Sequence, residues 1–355
     1  MTRTIDPPDL ALVLDQAHND FTALHGARVL VTGATGFVGS WLLETAAYAN
    51  RMAGADLRIF ALVPPRFDVA TESPHLLGLD GVTFVRGDIC TLDRNALIAQ
   101  HPEMGMLDAV IHAAIAVDAT TIDANPIPTL DTAVEGTRRT LELARASQAS
   151  RFLFLSSGAV YGTAPTQLAR IPESYFGGPD QTNPRLVYAE GKRIGEMMCA
   201  CFSRAYGLAT VMARPFAFVG PHLPIDRHFA VGNFIRDTLA GGPVVVGGDG
   251  TPVRTYMYAA DLAVWLWALL VRGETGRAYN IGSEQEIDIA ALARLVASFG
   301  APPCAVEVRG KAVAGTPPER FTPDVRLARE SLGLATQVTL EDAIARTFQW
   351  HRSAR

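Results

Sequence analysis

Apolar residues are distributed along the chain in two alternating rhythms. Short, nearly continuous apolar runs occur at Arg28–Thr32 (RVLVT), Leu57–Val63, Val82–Arg86, Ala109–Ala113, Arg151–Ser156 and Ala209–Arg214. Between them, apolar positions at helical spacing predict helices over Val38–Asn50, Leu92–Gln100, Thr129–Ser147 and Val187–Tyr206. Runs so short and so uniformly apolar suit strands covered on both faces. Strand and helix in strict alternation predict an α/β fold, a doubly wound parallel sheet with crossover helices. Upstream, Leu10, Leu14, Ala17, Phe21 and Leu24 keep helical spacing, so residues 1–25 read as a leader with a short amphipathic helix capping the main domain. The regular rhythm fills 26–215 and stops at Pro215. Proline and glycine then cluster at 220–224 and 241–252, and 216–355 reads as a smaller, less regular α/β lobe for the substrate. Its boundary is soft, because Ala278–Ile281 still suits a strand of the main sheet.

Composition narrows the partners. A net charge of -5 with pI near 5.9 offers no polyanion-binding surface, so no nucleic acid is expected. The N-terminus MTRTIDPPD lacks the apolar core of a signal peptide, and Leu262–Val271 is too short to cross a bilayer. A soluble cytoplasmic protein with no membrane partner is the expectation. Cys90, Cys199, Cys201 and Cys304 show no metal-ligand or disulfide spacing and are expected to be reduced, buried thiols. No metal site is read from the sequence.

Candidate chemistry begins where the first strand runs into TGATGFVG, with Gly33, Gly36 and Gly39 three residues apart. A tight strand-to-helix turn that lets a pyrophosphate approach the backbone needs glycines there, and the helix N-terminus offers N–H groups to the phosphates. The turn predicts a Rossmann-type site for NAD or NADP at Gly33, Thr35, Gly36, Phe37, Val38 and Gly39. Asp88 and Ile89, after the third strand, either reach the adenine or merely end a turn. The second strand ends in Val63-Pro64-Pro65-Arg66 without the acid that holds the ribose hydroxyls of NAD, so Arg66 is either a partner for a 2′-phosphate or a solvated loop residue. Tyr188 and Lys192 stand four apart in YAEGK and share one helical face. The lysine and an oxidised nicotinamide are expected to lower the tyrosine's pKa and make it a proton carrier for a sugar alcohol.

These segments, together with VIHAA, SSGAVYG, RPFAFVGP, GDGTPVRTYMYAADLA, YNIGS and PERFTPD, resemble the extended short-chain dehydrogenase/reductases, the nucleotide-sugar epimerase and dehydratase group, from about residue 26 to 352. The resemblance implies that Ser157, Tyr188 and Lys192 are catalytic, with Ser157 bonding the substrate oxygen. It implies cofactor contacts that extend to Ala113, Tyr188 and Lys192. It makes Tyr161 a wall of the sugar pocket, and Asn233, Arg254 and Arg320 contacts to the substrate's nucleotide or phosphates, each with a structural role as the alternative. A homodimer through the helices at Thr129–Ser147 and Val187–Tyr206 is implied as well.

The chain also departs from the family. Ala133 and Ala217 stand where asparagines are usual. Dehydratases of the group carry Asp-Glu after the catalytic threonine, and decarboxylases a Glu at the second of these positions; here Gly158 and Ala159 occupy them. The resemblance therefore implies a nucleotide-sugar 4-epimerase or 4-keto reductase. The alternative is a 4,6-dehydratase or decarboxylase that recruits acid and base from elsewhere. A non-catalytic NAD(P)-sensing protein is a second alternative, disfavoured because Tyr188 and Lys192 are both present.

Overall fold

The structure is a computed structural model and describes residues 3–114, 119–226, 229–313 and 315–353. Helices α1 (Pro7–Gln16) and α2 (His18–Ala23) precede β1 (Arg28–Thr32), α3 (Phe37–Ala53), β2 (Arg58–Val63), α4 (Val69–Glu72), β3 (Val82–Arg86), α5 (Arg94–Gln100) and β4 (Ala109–His112). There follow α6 (Ala119–Ala124), α7 (Ile127–Asp131), α8 (Thr137–Ala146), β5 (Arg151–Leu155), α9 (Val187–Tyr206), β6 (Ala209–Pro215), β7 (Ala217–Val219), α10 (Ala230–Leu239), β8 (Val244–Val246), β9 (Val253–Tyr258) and α11 (Ala259–Arg272). The chain continues through β10 (Ala278–Ile281), β11 (Glu286–Asp288), α12 (Ile289–Ala297), β12 (Val306–Val308), β13 (Arg320–Phe321), α13 (Arg326–Leu332) and α14 (Leu340–Ser353).

Seven parallel strands form the main sheet in the order β10-β6-β5-β4-β1-β2-β3. Successive side chains point to opposite faces of a strand, and here both faces are covered. Val29, Val31, Ile59, Ala61, Ile111, Leu153 and Ala213 pack with α3 and α11, while Leu30, Phe60, Leu62, Val110, Phe152, Phe154 and Met212 meet Leu97, Leu141 and Cys199 of α5, α8 and α9. This two-sided burial is why the strands read as unbroken apolar runs. Helix α11 is buried from Ala259 through Leu270, so the most apolar segment of the chain is a core helix. Among the described residues no helix is long and apolar enough to cross a membrane.

Beyond residue 215 the chain supplies β10 to the main sheet, whereas β7, β9, β11 and β13 form a small sheet of their own and β8 pairs with β12. The leader folds as two helices broken at Ala17, not one. Asp9 of α1 is buried and binds both the Tyr258 hydroxyl and Arg346 of α14, tying the two ends of the chain together.

Three local expectations need correction. The helix expected over Thr129–Ser147 is interrupted by a π turn at Thr132–Gly136. Small residues mark the break: a Cβ on Gly136 would lie 3.1 Å from Ile89 Cγ1, and one on Gly191 of α9 would lie 2.5 Å from Ala133 Cβ. The helix expected from Leu92 starts at Arg94, because the Asp93 side chain caps it by accepting the Ala96 N–H. Of the four free cysteines only Cys199 is buried, while Cys201 is exposed.

Candidate active site

The chain runs outward from β1 through β2 to β3, then returns to place β4 on the other side of β1. Ligands of open α/β sheets bind at such a reversal, at the carboxyl ends of the strands. Gly33, just past β1, has φ +68°, a conformation open to glycine, and a Cβ there would lie 2.7 Å from the Ala113 carbonyl carbon. A Cβ on Gly39 would lie 2.3 Å from the Gly33 oxygen. Gly36 is the N-cap of α3 and brings no side chain to its first amides, which leaves them facing a cavity of about 790 Å³. A dinucleotide pyrophosphate fits this cradle of bare backbone and helix N-terminus. Thr35, Phe37, Val38, Ala113, Tyr188 and Lys192 line the same cavity. Arg66, Asp88 and Ile89 do not: Arg66 is exposed beyond β2, Asp88 accepts the Cys90 N–H at 2.9 Å to cap its own turn, and Ile89 packs on Gly136.

Helix α9 carries Tyr188 and Lys192 to the end of β5. Lys192 is 2% exposed, and its Nζ donates to the Leu155 carbonyl at 2.5 Å. The same atom lies 5.0 Å from the Phe154 ring centroid and 5.9 Å from that of Tyr188. Burial pushes this lysine down to about 7. Burial raises the pKa of Tyr188 above the ordinary value, and the neighbouring Ser157 side chain offsets only part of that. The expected lowering by Lys192 is not present in the chain alone: desolvation of the phenol sets the direction of the shift. Ser157 Oγ also accepts the Ala159 N–H at 3.1 Å, capping the turn Gly158–Tyr161.

The neighbouring Ser156 belongs to a different network. Its Oγ donates to Glu196 Oε1 at 2.6 Å, and Glu196 holds Arg214 through Nε at 2.8 Å and Nη2 at 2.6 Å. Arg214 Nη1 then donates to the Tyr161 hydroxyl at 2.8 Å, which itself donates to Asn280 Oδ1 at 2.7 Å. Tyr161 is 1% exposed, so it lies inside the protein with its hydroxyl engaged, away from the cavity that holds Tyr188. Gly158 is wedged between aromatic rings: a Cβ would lie 3.0 Å from both Phe216 and Phe321.

The remaining expected substrate residues lie outside this cavity. Arg254 and Arg320 sit on the adjacent strands β9 and β13 and are ion-paired, to Glu319 at 2.8 Å and to Glu286 at 2.5 Å. Asn233 on α10 accepts from Arg236, and it is Arg236 that lines the cavity.

Two further contributors escape the sequence reading. Glu196 stands four residues beyond Lys192, on the same helical face, which was the available signal. His112 is buried between Thr32 (2.8 Å) and Thr137 (3.1 Å), stitching β1 and β4 to α8 beneath the glycine turn. Burial and nearby Lys192 push it down to about 3, so it is a neutral strut. The VIHAA run contains it, but nothing in the spacing gives its partners.

Residues 29–282 match the model of the NAD dependent epimerase/dehydratase family. UDP-glucuronic acid decarboxylase 1 of Xenopus tropicalis is 30% identical over 326 residues, 92% of this chain and 72% of that one. An epimerase from the methanogen Methanothermobacter thermautotrophicus superposes with a TM-score of 0.79 at 25% identity, covering 96% of each chain. The dTDP-glucose 4,6-dehydratase DesIV of Streptomyces venezuelae, solved with NAD bound, gives a TM-score of 0.74 at 26% identity over 92% of this chain and 97% of that one. With its glycine cradle and a match over most of its length, the chain belongs to the NAD dependent epimerase/dehydratase family and takes NAD or NADP as its cofactor.

Proposed function

We propose that the protein acts at C4 of the sugar of a nucleotide sugar, as a 4-epimerase or a 4-keto reductase. One observation carries the reading: Tyr188, with Lys192 behind it, lines the cofactor cavity, and the two positions after Ser157 carry no carboxylate; the carboxylates that line the cavity are Glu72, which accepts the Asp68 N–H, and Asp226. Tyr188 is the group placed to exchange a proton with the sugar hydroxyl, and Ser157 orients that hydroxyl. Lys192, poised to about 7, supports the phenolate when Tyr188 is deprotonated. When bound, the nicotinamide supplies the acceptance and return of hydride. Expulsion of water across C5–C6 needs an additional acid and base. Gly158 and Ala159 provide neither, and Gly158 has no room for a side chain between Phe216 and Phe321. Glu196 is tied to Ser156 and Arg214, and Glu173 accepts the Asn280 N–H.

The family match supports a second reading, decarboxylation of a nucleotide uronic acid, since relatives at 28–31% identity are UDP-glucuronic acid decarboxylases. Oxidation at C4 makes the C6 carboxylate a β-keto acid; CO2 leaves to give an enolate, which takes a proton at C5 before C4 is reduced again. Incubating the protein and cofactor with UDP-glucose, dTDP-4-keto-6-deoxyglucose and UDP-glucuronic acid separates the readings. A C4 epimer or a reduced 4-keto sugar supports the first. CO2 with a UDP-pentose replaces it with the second, and a 4-keto-6-deoxy product from a hexose refutes both.

A further inference from the structure

We propose that Glu44, His75 and His222 form a binding site for a divalent transition-metal ion of the zinc class. One ligand atom from each lies within 4.8 Å of the others, although the three come from α3, the turn Pro74–Leu76 and the loop after β7. The imidazoles of His75 and His222 stack with centroids 4.4 Å apart and 25° between their planes. His222 Nε2 lies 2.8 Å from Glu44 Oε1, with side-chain exposures of 7% and 2%. Glu44 Oε2 accepts the Ile5 N–H at 2.7 Å, a backing bond that fixes the carboxylate as outer-shell partners fix metal ligands.

Two features point beyond a plain Glu44–His222 ion pair. Both ring nitrogens of His75 are buried, and neither has a hydrogen-bond partner among the described residues. A buried imidazole with neither nitrogen satisfied is costly, and the ion pair does nothing for it. A metal ion in the plane of the His75 ring satisfies one nitrogen directly, and that ring must turn out of its stack with His222 for both imidazoles to reach the same ion. His222 moreover has φ +70°, a left-handed conformation uncommon for a residue with a side chain. Such strain persists where the surroundings demand a particular side-chain placement.

Two imidazoles and a carboxylate are a donor set that zinc accepts in tetrahedral geometry, and three protein ligands leave a fourth position open. His75 and His222 both line the cavity that also holds the glycine cradle, so the site adjoins it. Ligand bonds of about 2.0–2.2 Å at tetrahedral angles put neighbouring donor atoms roughly 3.3 Å apart. The Glu44–His222 pair at 2.8 Å must therefore open by about 0.5 Å, and donor atoms of the three that now lie up to 4.8 Å apart must close to the same separation. The Trp350 ring lies against His222 with centroids 4.9 Å apart, and its indole N–H donates to the Thr4 carbonyl. An ion here pins the leader and α14 onto α3, so it stabilises the fold as well as occupying the cavity wall.

The test is zinc loading of the untagged full chain after exhaustive chelation, with metal counted after desalting, alongside His75→Ala and Glu44→Gln. The expected result is one zinc per wild-type chain, a melting temperature that rises with zinc and falls on chelation, and variants that bind at least about 100-fold more weakly, more than the loss of an outer-shell partner costs. Far-UV circular dichroism establishes that the variants are folded. Should either variant misfold, the visible spectrum of the cobalt-loaded wild type decides: intense four-coordinate bands support the site. Wild-type protein that retains no zinc, a six-coordinate cobalt spectrum, or a folded His75→Ala that binds as tightly as wild type overturns it. None of these readouts depends on the reaction assigned to Tyr188.

Discussion

Replacing Lys192 by methionine should stabilise the protein at neutral pH, abolish turnover, and lose its stabilising effect as the pH rises. The ammonium is buried beneath Tyr188, and burial brings its pKa from 10.5 to about 7. Below about pH 7 the lysine is protonated in both folded and unfolded chains, and the folded protein bears the whole desolvation penalty. Between about 7 and 10.5 the unfolded chain still binds the proton that the folded one has released, so wild-type stability climbs with pH. At about 1.4 kcal/mol per pH unit, the penalty at low pH is about 5 kcal/mol as an upper bound. Methionine removes it but leaves the Leu155 carbonyl without its Nζ partner, an offset of about 2–3 kcal/mol for a bond to a charged donor. The variant should therefore be more stable by about 2 kcal/mol at pH 7, and the difference should shrink and change sign between roughly pH 8 and 9. His112, pushed down to about 3, is neutral throughout this window and does not disturb the comparison. Urea unfolding of the two dinucleotide-free proteins from pH 6.5 to 9.5 measures the difference directly. A stability difference that does not vary with pH, or a wild type more stable than the variant at pH 7, refutes the buried-ammonium account.

Three further substitutions bear on the other elements of the site. Gly39→Ala places a Cβ 2.3 Å from the Gly33 oxygen, closer than any real contact, so the turn must open; NAD(P) affinity measured by fluorescence titration should fall at least tenfold, about 1.4 kcal/mol. Tyr161→Phe removes hydrogen bonds to Asn280 and Arg214 and should cost about 1–3 kcal/mol in urea unfolding with the sugar KM unchanged; a raised KM at unchanged stability would restore Tyr161 to the sugar pocket. Ile194 and Met197 lie three apart on α9, 36% and 66% exposed, on the helix implied in dimerisation. Met197→Glu tests a contact through α9: a mass that halves in light scattering supports a dimer formed by this helix, and an unchanged mass leaves α9 outside any interface.

Legibility in the sequence follows how local each feature is. The strands of the main sheet are readable because most are buried on both faces, the edge strand β3 only partly, and Tyr188 and Lys192 because one helical turn joins them. The π turn at Thr132–Gly136 is not readable, since its small residues make room for Ile89 and Gly191, which are distant in the chain. Arg254 and Arg320 are prominent in motifs, yet their neutralisation by Glu319 and Glu286 depends on how β9, β11 and β13 align. Glu44, His75 and His222 share no motif at all and meet only because α3, the turn at 74–76 and the loop after β7 converge.

The paired serines show how the surrounding network bears on the proposed chemistry. Ser156 binds Glu196, whose two oxygens are further engaged by Arg214, and Arg214 in turn occupies the Tyr161 hydroxyl. Asn280 completes the chain by donating to the Ile171 and Asp324 carbonyls, so this polar network is satisfied from β5 across α9 and β6 to β10. A satisfied buried network resists rearrangement, because freeing any one member leaves a desolvated partner unpaired. Glu196, the carboxylate bonded directly to the serine pair, is therefore held back from acid–base duty, and freeing it would leave Arg214 buried without its counter-charge. Tyr188 lines the cofactor cavity, and Ser157, which follows the cavity-lining Ser156 in the chain, is the serine hydroxyl not tied to Glu196. Oxidation and reduction at C4 need only those two and the lysine beneath them. Dehydration needs two more proton carriers at a place where the chain has filled the space with Phe216 and Phe321. A Gly158→Asp substitution should therefore disrupt packing and lower stability by about 1–3 kcal/mol, the usual effect of overpacking, without creating dehydratase activity. If it instead yields a folded enzyme that releases a 4-keto-6-deoxy sugar, the network is more pliable than its hydrogen bonds imply, and the argument from the missing carboxylates fails.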